Sequence, residues 1–211
     1  THPMDVMRTG CSMLGTLEPE SSERNIDQAR NIADRLISCF GSMLIYWYKY
    51  SQEGIRLSLN TNEDTIAGHF LHLLHNKKPS KLHEKVMNTS LVLYAEHEFN
   101  ASTFTSRVIA GTLSDFYSSV TGAIGALRGS KHGGANEAAM EIISRYQSPD
   151  EAENDIRRRM TLKEIIIGFG HPVYTIGDPR NECIKKASYS LAKNANESLL
   201  YNISERIEKV M

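Results

Sequence analysis

The feature that most constrains this chain is an apolar stripe at helical spacing, together with the lack of any run that alternates. Between Ser22 and Tyr50 the residues Ile26, Ala29, Ala33, Leu36, Phe40, Met43 and Trp47 recur every three or four positions, the period that lines one face of an α-helix. The stripe predicts one long amphipathic helix over Ser22 to Tyr50, with Gly41 a tolerated weak point. No segment alternates apolar and polar residues as a half-buried strand would. The fold class is therefore read as all-α.

Start and stop signals mark the shorter helices. Thr61, with Asp64 three residues on, is the expected cap of a helix carrying Ile66, Phe70, Leu73 and Leu74 until Pro79 stops it. Ser80 starts the next, whose apolar positions Leu82, Val86, Leu93 and Tyr94 run into His97, after which Ser102 or Thr103 helps start another. From Asp115 to Leu127, Gly122, Ala123, Gly125 and Ala126 surround Val120 and Ile124, a composition that lets neighbours approach closely and places this helix at the centre of the core. Ser148, Pro149 and Glu151 combine a cap, a proline at the first helical position and an acid at the third. A polar helix follows to Met160. Thr161 and Glu164 repeat the cap pattern and predict a short buried element through Ile165–Ile167, broken by Gly168 and Gly170. Asp178 and Pro179 open a further helix, and Asn196 to Val210 forms the last, with Leu199, Ile203, Ile207 and Val210 on one side.

Composition narrows the function classes. With 24 basic and 25 acidic side chains in 211 residues the net charge is -1, which leaves no surplus to neutralise a phosphate backbone, so nucleic acid is not an expected partner. Cys11, Cys39 and Cys183 are far apart, odd in number and outside any CxxC pair, which argues against a disulfide framework and a thiolate zinc site. The longest apolar stretch, Met43 to Tyr48, is far short of the ~20 residues of a membrane span. No charged-then-apolar leader opens the chain, and the expectation is a cytoplasmic protein in a reducing compartment. The chain begins at Thr1 and stops at Met211 directly after a helical pattern, and is expected to be truncated at both ends.

Three histidines stand in polar or glycine-marked segments. His132 precedes Gly133-Gly134 and a helical pattern through Met140 and Ile143. A helix N-terminus disfavours imidazolium, and a neutral imidazole can donate a hydrogen bond to a developing enolate oxygen. His171 follows Gly168-Phe169-Gly170 and precedes Pro172, which holds it out of the helical region. Arg180 falls in the first turn of the helix beyond, where a cation is unfavourable for the dipole. An arginine there suits an anionic ligand, since a guanidinium grips a carboxylate by two parallel bonds; a surface salt bridge is the plainer reading. His97, flanked by Glu96 and Glu98, reads alone as solvated or structural, and His132 alone as a turn with an exposed ring. His69, His72 and His75 repeat every three residues, a spacing two of which could share a metal. Leucines fill the gaps, no carboxylate lies among them at ligand spacing, and the step drifts around the helix, so no metal site is expected.

Read in order, HEFNASTF, LRGSKHGGANE and GFGHPVYTIGDPR resemble, in content and spacing, the signature segments of the citrate synthase family. The likeness covers essentially the whole chain, from MDVMRT to the last helix, and MDVMRTG, GHFLHLLH, SLVLYAEHEFNASTFTSRVIAGT and GHPVYT resemble the 2-methylcitrate-forming branch, whose citrate-forming relatives more often carry arginine or alanine at the place of Pro172. The resemblance implies an acyltransferase that condenses oxaloacetate with propionyl-CoA, or alternatively acetyl-CoA, and hydrolyses the thioester to release CoA. It implies that His132 stabilises the enolate, that His171 donates to the ketone oxygen of oxaloacetate, that His97, His171 and Arg180 hold oxaloacetate, and that the stretch with Ile165, Gly168 and Gly170 contacts CoA. It further implies a large helical domain over residues 1–134, a smaller one over 135–211 that closes on the substrates and excludes water, a homodimer for which the Ser22–Tyr50 helix with Tyr46, Trp47, Tyr48 and Tyr50 is a candidate element, and no cofactor beyond the acyl-CoA substrate. The family's proton-abstracting aspartate and its further arginines have no counterpart in these 211 residues, and Asp115 and Asp178 read as helix caps. Proton abstraction needs a positioned base, so the chain alone is expected to be inactive and the whole protein active. A non-catalytic helical binding module and a histidine-rich metal-binding protein are the competing classes.

Overall fold

The computed structural model describes residues 1–18, 20, 25–171, 174 and 176–211, and every regular element among them is an α-helix. The chain divides into two compact units, Thr1–Arg128 and Gly129–Met211.

The first unit holds α1 (Pro3–Leu17), α2 (Ile26–Glu53), α3 (Ile66–His75), α4 (Lys81–Tyr94), α5 (Ala101–Gly111) and α6 (Phe116–Leu127). The stripe that predicts a long helix is α2, which begins at Ile26 behind an Asn25 cap and ends where Gly54 turns left-handed at φ 68°; Ser22 lies outside the described residues. Sequence periodicity passed over α1, although Met4, Met7, Cys11 and Leu14 keep helical spacing and Pro3 sits at its first turn. Those four residues pack with Ile32, Leu36 and Phe40 of α2 and Tyr117, Val120 and Ile124 of α6. α6 packs against α1 and α5, and its small residues explain how. A Cβ on Gly122 would lie 2.1 Å from Cδ1 of Ile109, and one on Gly15 of α1 would lie 2.8 Å from Cβ of Tyr117, so both crossings depend on a missing side chain. Two starts move from their expected positions. α3 is capped by Thr65, whose hydroxyl accepts from Gly68 N at 2.9 Å, because Thr61 is engaged with His69 Nδ1 at 2.7 Å. α5 is capped by Asn100, whose Oδ1 accepts from Thr103 N at 2.9 Å and Ser102 Oγ at 2.7 Å.

The second unit holds α7 (Ala135–Ile143), α8 (Pro149–Thr161), α9 (Asn181–Ala195) and α10 (Leu199–Val210). α10 packs against all three others. Its Ile203 and Ile207 are buried with Ile142, Tyr146, Ala152, Ile156 and Ile166. The polar α8 contributes only the Ala152 and Ile156 positions, four apart on one face. Burial of each such isoleucine stabilises by ~1.5–3 kcal/mol. Charged groups fasten the rim: Arg206 of α10 bonds Asp150 at 2.7 Å and Glu153 at 2.9 Å on α8, and Glu208 accepts from Lys185 at 2.7 Å and Asn181 at 2.6 Å on α9. The short helix expected at Thr161–Ile167 is absent. α8 runs through Thr161, whose hydroxyl bonds back to the Arg157 carbonyl at 3.0 Å instead of capping anything. Lys163 then turns left-handed at φ 56° and Glu164 N closes onto the Arg159 carbonyl at 3.0 Å, a Schellman-type stop. Residues 164–167 continue as irregular chain.

Candidate active site

His97 belongs to the first unit, in the connection between α4 and α5. Glu98 beside it adopts a left-handed φ of 49°, and its amide donates to the Glu96 carboxylate. Asn100 then fixes the α5 start, so the half-buried His97 ring is carried by a tight turn between two anchored helix ends.

The other three sequence-predicted residues belong to the second unit. His132 sits in the turn directly before α7. Its N–H donates to the Gly129 carbonyl at 2.9 Å, its carbonyl accepts from Ala135 N at 3.0 Å, and Gly134 N closes onto Gly129 O at 3.1 Å. The turn is therefore closed by backbone hydrogen bonds. Gly134 is the N-cap of α7, with no side chain to satisfy the first amides. Its φ of -62° is open to any residue. The N-terminal end of α7 follows directly on the half-buried His132.

His171 follows Gly168 at φ 107° and Gly170 at φ 76°, a pair of conformations that need glycine. Pro172, expected to hold His171 out of the helical region, lies outside the described residues. A Cβ at Gly168 would meet Cβ of Ala139 at 3.5 Å, so the loop that leads into His171 lies against α7, the helix that follows His132. The chain through Ile165 and Ile166 splits its side chains: Ile166 is 6% exposed and joins the core, while Ile165 is 77% exposed. Ile165, Gly168 and Gly170 thus form an outward strip of backbone and one apolar side chain.

Beyond His171 the structure assembles a ladder that sequence reasoning missed in part. The His171 and Tyr174 rings lie 4.8 Å apart between centroids, and the Arg180 guanidinium sits 5.7 Å from the Tyr174 ring centre, within cation–π range. Arg180 is the N-cap residue of α9, one position earlier than the first turn where the sequence placed it. Its Nε donates to Asp178 Oδ1 at 2.9 Å and Oδ2 at 3.2 Å, and its Nη2 donates to Oδ2 at 2.5 Å. The Arg180 backbone N–H donates to the same Oδ1 at 2.9 Å. These bonds hold the Asp178 carboxyl below the usual carboxylate range, the Arg180 side chain first and its backbone amide after the opposing effect of burial, with a smaller attraction from His171. Asp178 is thus an ion-pair partner as well as a helix-start residue. The sequence signal was an acid two positions before an arginine otherwise misplaced at a helix N-terminus.

The histidine row on α3 is occupied by structure. His69 Nε2 meets Ser42 Oγ at 2.9 Å and its Nδ1 meets Thr61 Oγ1, while His72 Nδ1 meets Glu63 Oε1 at 2.8 Å. Glu63 lies outside the spacing considered along the helix, yet reaches it from the preceding turn. Among the described residues no cluster of histidine, cysteine or carboxylate side chains is arranged to hold a metal ion, and no helix is long and apolar enough to cross a membrane.

Proteins of one known family are similar to this chain over its whole length. The model of the C-terminal domain of citrate synthase matches residues 1–211. The chain is 55% identical over 210 residues to 2-methylcitrate synthase of Shewanella oneidensis, covering 100% of this chain and 55% of that protein. It is 40% identical to citrate synthase 2 of Bacillus subtilis, again over 100% of this chain and 56% of that one. Citrate synthase from Thermoplasma acidophilum, solved in ternary complex with carboxymethyl coenzyme A and oxaloacetate, superposes with a TM-score of 0.89 at 29% identity over 99% of this chain and 55% of that one. The chain spans about half the length of the curated relatives it matches. By its sequence and its all-helical fold, the chain belongs to the citrate synthase family.

Proposed function

We propose that the whole protein condenses oxaloacetate with propionyl-CoA and hydrolyses the thioester, releasing 2-methylcitrate and CoA. The observation that carries the choice of acyl group is the 55% identity to a 2-methylcitrate synthase against 40% and 39% to the citrate synthases of Bacillus subtilis and Deinococcus radiodurans. In this reading His132, at the start of α7, donates to the enolate oxygen formed from the thioester. His171 donates to the ketone oxygen of oxaloacetate, Arg180 grips a carboxylate, and His97 assists in holding the same substrate. The exposed strip at Ile165, Gly168 and Gly170 receives CoA. Oxaloacetate is a dianion, and the two forks of a guanidinium suit a carboxylate.

The same reading makes the protein a cytoplasmic homodimer. Its three cysteines are free thiols, as a reducing compartment allows, and Tyr48 and Tyr50 of α2 are exposed apolar surface of the kind enriched at interfaces. The acyl groups differ by one methylene, worth ~1–3 kcal/mol in a pocket, so some turnover of acetyl-CoA is expected. Steady-state turnover of the full-length protein with each acyl-CoA tests the assignment. A higher kcat/KM for propionyl-CoA supports it, and a preference for acetyl-CoA beyond roughly tenfold overturns it in favour of a citrate synthase.

A further inference from the structure

Arg180 stands where a cation is electrostatically disfavoured, at the N-terminus of α9. The structure offsets that cost with a carboxylate that is itself fixed. Asp178 Oδ1 accepts from the Arg180 backbone N–H at 2.9 Å and from Arg180 Nε at 2.9 Å, while Oδ2 accepts from Nη2 at 2.5 Å. The backbone bond pins the carboxylate to the helix start, and the carboxylate in turn takes the Nε–Nη2 edge of the guanidinium. Tyr174 supports the guanidinium at 5.7 Å and meets the His171 ring at 4.8 Å. A guanidinium offers five N–H donors in a rigid plane, so fixing one edge fixes the direction of the Nη1–Nη2 end.

We propose that Asp178 is a positioning residue that sets the direction of the Arg180 fork toward the substrate carboxylate. This rests on the assignment of Arg180 to oxaloacetate in the proposed function. The aspartate stays in place when the substrate binds, since its own anchor is the helix backbone, and the substrate carboxylate meets the Nη1–Nη2 end. Asp178 acts through Arg180 and does not touch the reacting atoms. Its loss therefore weakens oxaloacetate binding and leaves the acyl-CoA site unchanged.

The test is a double-mutant cycle in the full-length protein with Asp178→Asn, Arg180→Lys and the pair. Asparagine keeps an oxygen for the Arg180 N–H and so keeps the helix start; Asp178→Ser serves the same end if the asparagine variant melts early. The expected result for Asp178→Asn is a rise of about tenfold in KM for oxaloacetate, as for the loss of one charge-assisted fork, with KM for the acyl-CoA unchanged. In the Arg180→Lys background the same change adds little further, because residues that act as one unit are not additive. A fall in oxaloacetate KM would make Asp178 a competitor for Arg180 and overturn the proposal, as would full additivity with Arg180→Lys, the mark of a merely structural residue. If Arg180→Lys itself leaves oxaloacetate KM unchanged, the assignment of Arg180 fails, and that outcome is separate from a normal Arg180→Lys effect accompanied by a silent Asp178→Asn.

Discussion

The helix starts of this molecule fall into two groups. α1 to α6 and α8 each begin on a side chain that accepts a hydrogen bond from the first turn: His2, Asn25, Thr65, Ser80, Asn100, Asp115 and Ser148. α7, α9 and α10 begin on Gly134, Arg180 and Ser198 with no such bond. Two of these three, α7 and α9, are the helices next to His132 and Arg180. A capped start is closed to ligands, since its amides already have an acceptor. α7 and α9 instead close their starts through groups beside the candidate residues, Ala135 N on the His132 carbonyl and the Arg180 amide on the Asp178 carboxylate. The sharpest test of this contrast is His132→Ala in the full-length protein. The turn before α7 is closed by backbone bonds among His132, Gly134 and Gly129. The expected outcome is a loss of kcat of about a thousandfold, the size seen when one oxyanion donor is removed, with an unchanged melting temperature. A variant that melts several degrees lower would make His132 a structural residue.

α10 sharpens the comparison from the other side, because it lacks a side-chain cap and carries no candidate site residue. What holds it is its buried stripe, with Ile203 fully buried and Ile207 nearly so. Ile203→Ala is expected to cost about 3 kcal/mol in chemical denaturation, the transfer term plus a cavity in a close-packed core. A cost under about 1 kcal/mol would mean that the charged rim, and not the stripe, holds the helix. Within the capped group, Asn100→Ala removes the acceptor for Thr103 N and Ser102 Oγ and is expected to cost about 1 kcal/mol. Because Asn100 follows His97 by three residues, the variant also reads out whether the α5 start steadies His97, as a rise in KM for oxaloacetate in the full-length protein.

The same two groups explain what the sequence disclosed. Ser80 and the Ser148-Pro149-Glu151 cluster lie where their chemistry predicts, because a cap acts within three residues and needs no tertiary partner. Thr61 and Thr161 look alike in sequence and cap nothing, since one hydroxyl is taken by His69 and the other by the Arg157 carbonyl. Those competitors depend on where the helices end, which a local pattern does not contain. α1 escaped notice because its apolar residues Met4, Met7, Cys11 and Leu14 are spaced among polar ones and its cap is a histidine. The candidate histidines were recognisable through the order and spacing of whole segments, not through their own surroundings. Asp178 left a signal in its place two positions before Arg180, whereas Tyr174 left none, because its role rests on ring geometry after the loop has folded.

Acid should separate the two kinds of fastening last and least. In the second unit the carboxyls of Glu153, Asp155 and Glu208 are held below their ordinary range: Glu153 by Arg157 and then Arg206, Asp155 by Arg158 and then Tyr146, Glu208 by Lys185 and then Asn181. For each, the folded value lies below the unfolded one, so the unfolded chain binds more protons in acid. The stabilisation is complete above the unfolded values, about 4.3 for Glu and 3.9 for Asp, and is lost as pH falls through the folded values. Glu208 shows this best, since it ties α9 to α10 through Lys185 and Asn181 and has Lys209 nearby. Glu208→Gln keeps an acceptor for both partners and removes the charge. At pH 7 its effect on the melting temperature is expected to be small, because half-exposed ion pairs contribute about 0–1 kcal/mol. Below about pH 4.5 the variant should lose less stability per pH unit than the parent, with the difference localised to α10 amides by hydrogen exchange. An identical acid slope in the two proteins would mean that the buried stripe of α10 alone sets its stability, and that its charged rim contributes nothing measurable.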